Sequence, residues 1–209
     1  MKGKKVLIAC EYSGAVRDAF IKQGYDAMSC DLLPTDSPGP HFQGSVQDII
    51  NKDWDLMVAH PPCTYLAVSG NRWLYNKDKS RNEERWSNRA SALDFVRLLL
   101  NASIDQIAIE NPVSVISSEI RKPDQIIQPW QFGDEAQKTT CLWLKNLPKL
   151  KPTKIVGKGE FITFKSGKKH PKWYADALSK AKTKEERQKL RSKTFQGIAD
   201  AMAEQWGPA

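Results

Sequence analysis

The stretch Asp55-Leu56-Met57-Val58-Ala59-His60-Pro61-Pro62-Cys63 decides how this chain is read. Four apolar residues in a row, Leu56 through Ala59, form a buried strand. Two prolines follow. They fix the backbone and remove two amide donors, so the ladder cannot continue. Cys63 thus stands where a buried strand opens into a loop, a good position for a nucleophile. Forty-seven residues on, a second apolar run ends in a carboxylate and another proline, Ile107-Ala108-Ile109-Glu110-Asn111-Pro112. Two strands, each ending in a reactive side chain before a proline break, predict one active site at the carboxyl edge of a parallel sheet.

Outward from these runs, strands and helices alternate. Val6-Leu7-Ile8-Ala9-Cys10 reads as a first buried strand, and Ser13-Gly14 opens a helix with Val16, Phe20 and Ile21 on its apolar face. Gly24 ends that helix. Asp26-Ala27-Met28-Ser29-Cys30-Asp31 is a second strand, closed by an acid, and the proline-rich residues 33–40 are loop. Trp86, Ala90, Leu93, Val96 and Leu100 recur at helical spacing within a helix over residues 83–101. Ile126-Ile127 and residues 140–144 look like a hairpin. Residues 173–193 read as a highly charged helical stretch. Ile198, Met202 and Trp206 mark a last helix, stopped by Gly207-Pro208. The pattern is that of an α/β protein with a Rossmann-like, mostly parallel sheet.

The chain has 209 residues, 40% apolar and 27% charged, which suits one globular domain with at most a small appendage. No run approaches the roughly 20 apolar residues needed to span a bilayer. Cys10, Cys30, Cys63 and Cys141 are widely spaced and form no CxxC pair, which argues against a disulfide framework or a metal site and for a cytoplasmic location. Cys10, Cys30 and Cys141 suit the core. His60 reads as structural, with no second ligand at metal-binding spacing. The net charge of +8 is uneven: residues 151–193 carry +10 and the rest −2. Such concentration suits a polyanionic partner.

The long segment after Cys63 is polar and aromatic. Trp73, Tyr75 and Trp86 alternate with Arg72, Lys77, Lys79, Arg81 and Arg85. Aromatics among cations suit an unstacked base and its phosphates.

Taken together, these residues resemble the DNA cytosine-5 methyltransferase family, most closely the compact methylases of bacteriophages and prophages. Cys10-Glu11-Tyr12-Ser13-Gly14-Ala15 occupies the place of the glycine-rich first motif, Pro61-Pro62-Cys63 matches the nucleophile motif, and Glu110-Asn111-Pro112 resembles Glu-Asn-Val. Gln137-Lys138-Thr139 is the nearest match to Gln-x-Arg-x-Arg, and Thr194-Phe195-Gln196-Gly197-Ile198-Ala199 stands for the final motif. The first motif departs from the family in having Tyr12 at a glycine position. The target-recognition region is nearly missing, and only a basic stretch occupies its place.

The resemblance implies a Rossmann-like S-adenosylmethionine-dependent methyltransferase fold, with a mostly parallel twisted sheet flanked by helices. Residues 1–150 would form the catalytic and cofactor-binding core, residues 151–193 a basic nucleic-acid-binding segment, and residues 194–209 a C-terminal helix returning to the core. Cys10, Glu11, Tyr12, Ser13, Gly14, Asp31, Asp48 and Pro61 would bind S-adenosylmethionine, Asp31 at the ribose and Asp48 at the adenine. Cys63 would add to carbon 6 of cytosine as a thiolate, its anion favoured by nearby positive charge or helix ends. Glu110 would hold or protonate N3, its pKa raised by partial burial. Asn111, Lys138, Arg72, Lys165, Lys168, Lys169 and Lys172 would contact a flipped-out, cytosine-containing DNA substrate. A monomer without metal or membrane attachment is the expected form. Three readings stay open beside DNA methylation of low sequence specificity: the same chemistry on RNA, the same on a free pyrimidine nucleotide, and a catalytically inactive nucleic-acid-binding protein.

Overall fold

The computed structural model describes residues 3–164, 167–192 and 194–207. In chain order the elements are β1 (Lys5–Ala9), α1 (Ala15–Lys22), β2 (Asp26–Asp31), β3 (His41–Gln43), β4 (Leu56–Ala59), α2 (Glu83–Leu100), β5 (Gln106–Asn111), α3 (Ile116–Glu119), β6 (Gln125–Ile127), β7 (Thr140–Lys145), β8 (Phe161–Thr163), β9 (Lys169–Pro171), α4 (Lys172–Lys180), α5 (Lys184–Ser192) and α6 (Gln196–Trp206). Strands β1 to β7 form a seven-stranded sheet in the order β3-β2-β1-β4-β5-β7-β6, and β8 pairs with β9 in a separate hairpin. The pairs among β1 to β5 are parallel. β7 runs antiparallel to both β5 and β6. This is the α/β, Rossmann-like, mostly parallel sheet flanked by helices that the sequence predicts.

The central strands are apolar throughout because both faces of the sheet are covered. Leu7, Ala9, Met57, Ala59, Ile107, Ile109 and Trp143 face a layer that includes Leu93, Val96 and Leu99 of α2. Their strand neighbours Val6, Ile8, Leu56, Val58, Ala108 and Leu142 face the opposite layer with Val16 and Phe20 of α1 and Ile198, Met202 and Trp206 of α6. Trp206 and Trp143 are fully buried. Their indole N–H groups donate to the carbonyls of Pro148 and Arg121, as buried indoles require. Gly197 lets α6 dock: a Cβ there would meet the Phe132 carbonyl oxygen at 1.8 Å. Among the described residues no helix is long and apolar enough to cross a membrane.

The structure changes one boundary read from the sequence, refines one element and adds another. β1 ends at Ala9, and Cys10 adopts a left-handed φ of 58° where the chain turns off the sheet. The charged helical stretch that the sequence predicts is divided into two helices, α4 and α5. After α4, Ala181 is extended. Thr183 Oγ1 then accepts from the Glu186 amide at 3.0 Å, and the Glu186 carboxylate accepts from the Lys182 amide at 2.7 Å, which starts α5 anew. The hairpin β8–β9 has no counterpart in the sequence reading.

Candidate active site

The sheet reverses its direction of growth between β1 and β4: β2 and β3 extend one way, β4 and β5 the other. The loops after β1 and β4 therefore part at the carboxyl edge, where open α/β sheets take their ligands. Residues 10–14 lie on one side of this crevice, and residues 60–64 on the other.

On the β4 side, parallel pairing sets Ala59 against Ile109. The next residues, His60 and Glu110, are thereby neighbours. His60 Nδ1 lies 3.1 Å from Glu110 Oε2, with 12% and 15% of the two side chains exposed. One residue further, the Asn111 amide donates to the Pro61 carbonyl at 2.8 Å. Both Asn111 and Pro61 are buried. Cys63 is exposed at the start of the following loop, and its carbonyl accepts from the amides of Leu66 and Ala67.

The charges of this cluster run against two expectations. Burial alone would raise Glu110, but the His60 hydrogen bond and the Lys138 ammonium outweigh it and hold the carboxyl below its ordinary range. Glu110 is thus an anion at rest rather than an acid poised by burial. Cys63 is correspondingly held up. Crowding by the surrounding protein and the Glu110 carboxylate raise its thiol above the ordinary value, against the opposing pull of Lys138 and Arg191. Lys138 also lines a small cleft with Glu110, Thr140, Thr194, Phe195 and Ile198. The segment read as the final motif therefore meets the segment read as the arginine motif beside the Glu110 carboxylate.

On the β1 side, Glu11 is buried, and its carboxylate accepts from the amides of Val16 and Arg17 and from the Ser13 hydroxyl. It caps the first turn of α1, an acid at the positive end of the helix. Gly14 takes a φ of 75°, and a Cβ there would meet Arg17 Nη2 at 2.5 Å. Arg17 is fully buried. It binds Asp18, Ser29, Thr35 and the carbonyls of Ser37 and Pro38, and so moulds the loop that follows Asp31. Sequence reasoning passed over Arg17, whose signal was a lone cation between Val16 and Phe20 on an apolar face.

Asp31 is half-buried at the end of β2, and its Oδ1 accepts from the Leu33 amide at 2.9 Å. Its carboxylate and burial push the Cys10 thiol up to about 12, burial being the larger cause. Asp48 is exposed, in a short 3-10 turn near Cys30. The end of β2 thus offers one carboxylate, Asp31, of the kind that can accept from the hydroxyls of a ribose, and Gly14 makes a left-handed turn after β1. The Tyr12 side chain turns away from the turn itself, with its hydroxyl 3.0 Å from Ser192 Oγ on α5. Lys189 of α5 is paired with Asp36 beyond β2.

The loop after Cys63 is held by α2. Arg85 donates to the Thr64 carbonyl, and Arg89 to the Tyr65 carbonyl and the Asn71 side chain. Arg72 stacks on Trp73 at 4.5 Å, and Trp73 is 54% exposed. In the basic segment, Lys168 and Lys169 are exposed at the β8–β9 hairpin, while Lys172 is paired with Glu160 at 2.6 Å. Lys165 lies outside the described residues. The hairpin carries exposed Phe161 and Phe164. A chain of ring contacts runs from Phe164 through His170 to Tyr174, over which Arg191 stacks at 4.9 Å. Among the described residues no cluster of three or more His, Cys, Asp or Glu side chains is arranged to hold a metal ion.

No protein-family model matches the chain, and no curated protein matches it. Among solved structures it is similar to an E. coli prophage-encoded protein assigned as a DNA modification methyltransferase, at 14% identity and a TM-score of 0.48, over 74% of this chain and 52% of that one. It is also similar to a triply substituted DNMT2 of Spodoptera frugiperda, at 16% identity and a TM-score of 0.41, over 74% of this chain and 54% of that one. The chain spans about half the length of these structures.

Proposed function

We propose that this chain is an S-adenosylmethionine-dependent methyltransferase that methylates carbon 5 of cytosine in DNA, through a covalent Cys63 adduct at carbon 6 and with little sequence preference. The observation that carries the reading is the cluster at the ends of β4 and β5. An exposed thiol follows a proline turn, a carboxylate is held beside that turn, and the Asn111 to Pro61 bond ties the two segments together. A thiolate adding to a pyrimidine drives electron density toward N3, and Glu110 is the group to receive N3 through a hydrogen bond and a proton. Lys138 lies close enough to both to favour the thiolate and to steady the carboxyl. Asp31 and the turn at residues 10–14 would hold the cofactor, which when bound supplies an electrophilic methyl group. The exposed aromatic and basic surface of the hairpin and α4 suits a nucleic acid strand.

Methyl transfer from labelled cofactor, measured in parallel on duplex DNA, single-stranded DNA, RNA and dCMP, tests this reading. Incorporation into DNA that disappears in Cys63→Ser supports it. Incorporation into RNA or dCMP alone moves the same chemistry to that substrate. No incorporation into any of them, with intact cofactor binding, favours an inactive nucleic-acid-binding protein.

A further inference from the structure

His60 has one ring nitrogen left unspent. Its Nδ1 is spent on Glu110, but its buried Nε2 has no hydrogen-bond partner among the described residues. A histidine kept for packing would use both nitrogens, since buried polar atoms are nearly always paired. The strand register fixes it beside Glu110 and the rigid Pro61-Pro62 turn holds its backbone, so the contact is built into the sheet rather than made by a mobile side chain. Imidazole is also the side chain that ordinarily changes protonation near neutral pH.

We infer that His60 is a positioning residue for Glu110: it orients the carboxyl through the 3.1 Å contact and relays to it the proton that the substrate ring takes at N3. This rests on the cytosine-5 reading of the site. As the Cys63 sulfur bonds to carbon 6, the ring's electron pair moves to N3. Glu110, an anion at rest, takes the proton from Nδ1 of an imidazolium His60 and passes it to N3, which leaves His60 neutral with its proton on Nε2 and Glu110 again an anion. Elimination of the thiolate runs the sequence backwards. The charged and titratable groups around the pair are Lys138 from the segment before β7, Cys141 of β7, and Cys63 on the same loop as His60.

His60→Asn tests the inference, because its amide keeps a donor near the Nδ1 position but cannot titrate. With 5-fluorocytosine DNA, adduct formation by H60N at neutral pH should fall by about 10²- to 10⁴-fold, the range of acid–base groups, with the alkaline limb of the pH profile displaced toward acid. A second readout needs no nucleic acid. Alkylation of Cys63 by iodoacetamide across pH should show, in the wild type, an inflection from the His60–Glu110 pair. It should be displaced toward acid in H60N and in Glu110→Gln, and absent when both residues are replaced. A wild type that keeps this inflection yet traps no nucleic acid would count against the substrate and not against the pair. An H60N alkylation profile identical to that of the wild type overturns the role of His60 whatever the substrate is.

Discussion

The Asn111 side-chain amide donates to the Pro61 carbonyl oxygen at 2.8 Å, and this bond couples the end of β5 to the turn that carries Cys63. Asn111 is the last residue of β5 and Pro61 lies two residues past the end of β4, so the bond continues the register of the two strands beyond their last ladder pair, Ala59 with Ile109. Proline cannot donate there, and a side chain has taken over the work of the backbone. Asn111→Ala removes the donor and leaves the buried Pro61 carbonyl without it, at a cost of about 1–3 kcal/mol. Asn111→Asp keeps the volume but replaces the donor by an acceptor against a carbonyl. It should destabilise at least as much as the alanine variant, although it is nearly isosteric. Urea denaturation of the three proteins decides this, and an aspartate variant as stable as wild type would remove the bond from the account.

The four thiols should react in a fixed order. Cys63 is exposed, Cys30 and Cys141 are buried, and Cys10 is half-buried with its thiol pushed up to about 12. Iodoacetamide followed by mass spectrometry should label Cys63 first. Because the thiol is held above its ordinary value, its rate should still be climbing at alkaline pH where a free cysteine has levelled off. The Glu110 carboxylate contributes to that elevation, so Glu110→Gln should lower the Cys63 pKa and speed its alkylation near neutral pH. The same variant should methylate about 10²- to 10⁴-fold more slowly, since it cannot deliver a proton. Faster alkylation with slower turnover is a combination that general damage to the site would not produce.

Arg17 supports the opposite side of the crevice. It is fully buried, pairs with Asp18 at 2.7 Å, and binds Ser29, Thr35 and two carbonyls of the loop after Asp31. Arg17→Met keeps much of the apolar stem but strands these groups. The expected loss is on the order of 3 kcal/mol, or a fall in Tm of roughly 6–12 °C for a chain of this size. Cofactor affinity should fall as well, because the loop that Arg17 shapes begins at Asp31. Unchanged Tm and unchanged cofactor binding in calorimetry would contradict both halves.

Much of this fold was legible because the sheet is buried on both faces. Runs such as residues 6–9, 56–59 and 107–109 have no reading other than core strands between helices. The residues following those runs also declare themselves, since proline breaks flag Cys63 and Glu110. Contacts made across register were not legible. His60 meets Glu110 only because Ala59 is aligned with Ile109, and that alignment is a property of two strands paired at long range. Arg17 was hidden for a different reason: a buried cation is tolerable only with its partners in place, and those partners lie in a proline-rich loop without periodicity. The break between α4 and α5 was readable, because Thr183 and Glu186 have capping-box spacing. The hairpin β8–β9 was not, since its strands are three residues each and mostly exposed, without an apolar alternation to mark them.

If the proposed function holds, the same hairpin separates two contributions to nucleic acid binding. Lys168 and Lys169 are exposed, whereas Lys172 already faces Glu160 at 2.6 Å. Lysine acts on phosphate as a point charge and carries no sequence information. Neutralising Lys168 and Lys169 should therefore weaken DNA binding equally across sequences and flatten the dependence of log K on log salt by about 0.9 per lost phosphate contact. Lys172→Gln should do less, because its ammonium is already engaged by Glu160 and is less available to phosphate. Phe164 and Tyr174 belong to the ring ladder beneath Arg191, and stacking is not screened by salt. Phe164→Ala and Tyr174→Ala should weaken binding, by about 1–3 kcal/mol per base unstacked, while leaving the salt slope unchanged. Fluorescence anisotropy at several salt concentrations distinguishes the two classes. A lysine variant with an unchanged slope would show that these lysines do not meet phosphate, and an aromatic variant that flattens it would show that the ring ladder acts by placing charge and not by stacking. Bisulfite sequencing of DNA from expressing cells completes the test: a surface that binds through charge and stacking should leave methylation spread over many contexts, and methylation confined to a single four- to six-base site would require a base-reading element that neither the lysines nor the ring ladder supplies.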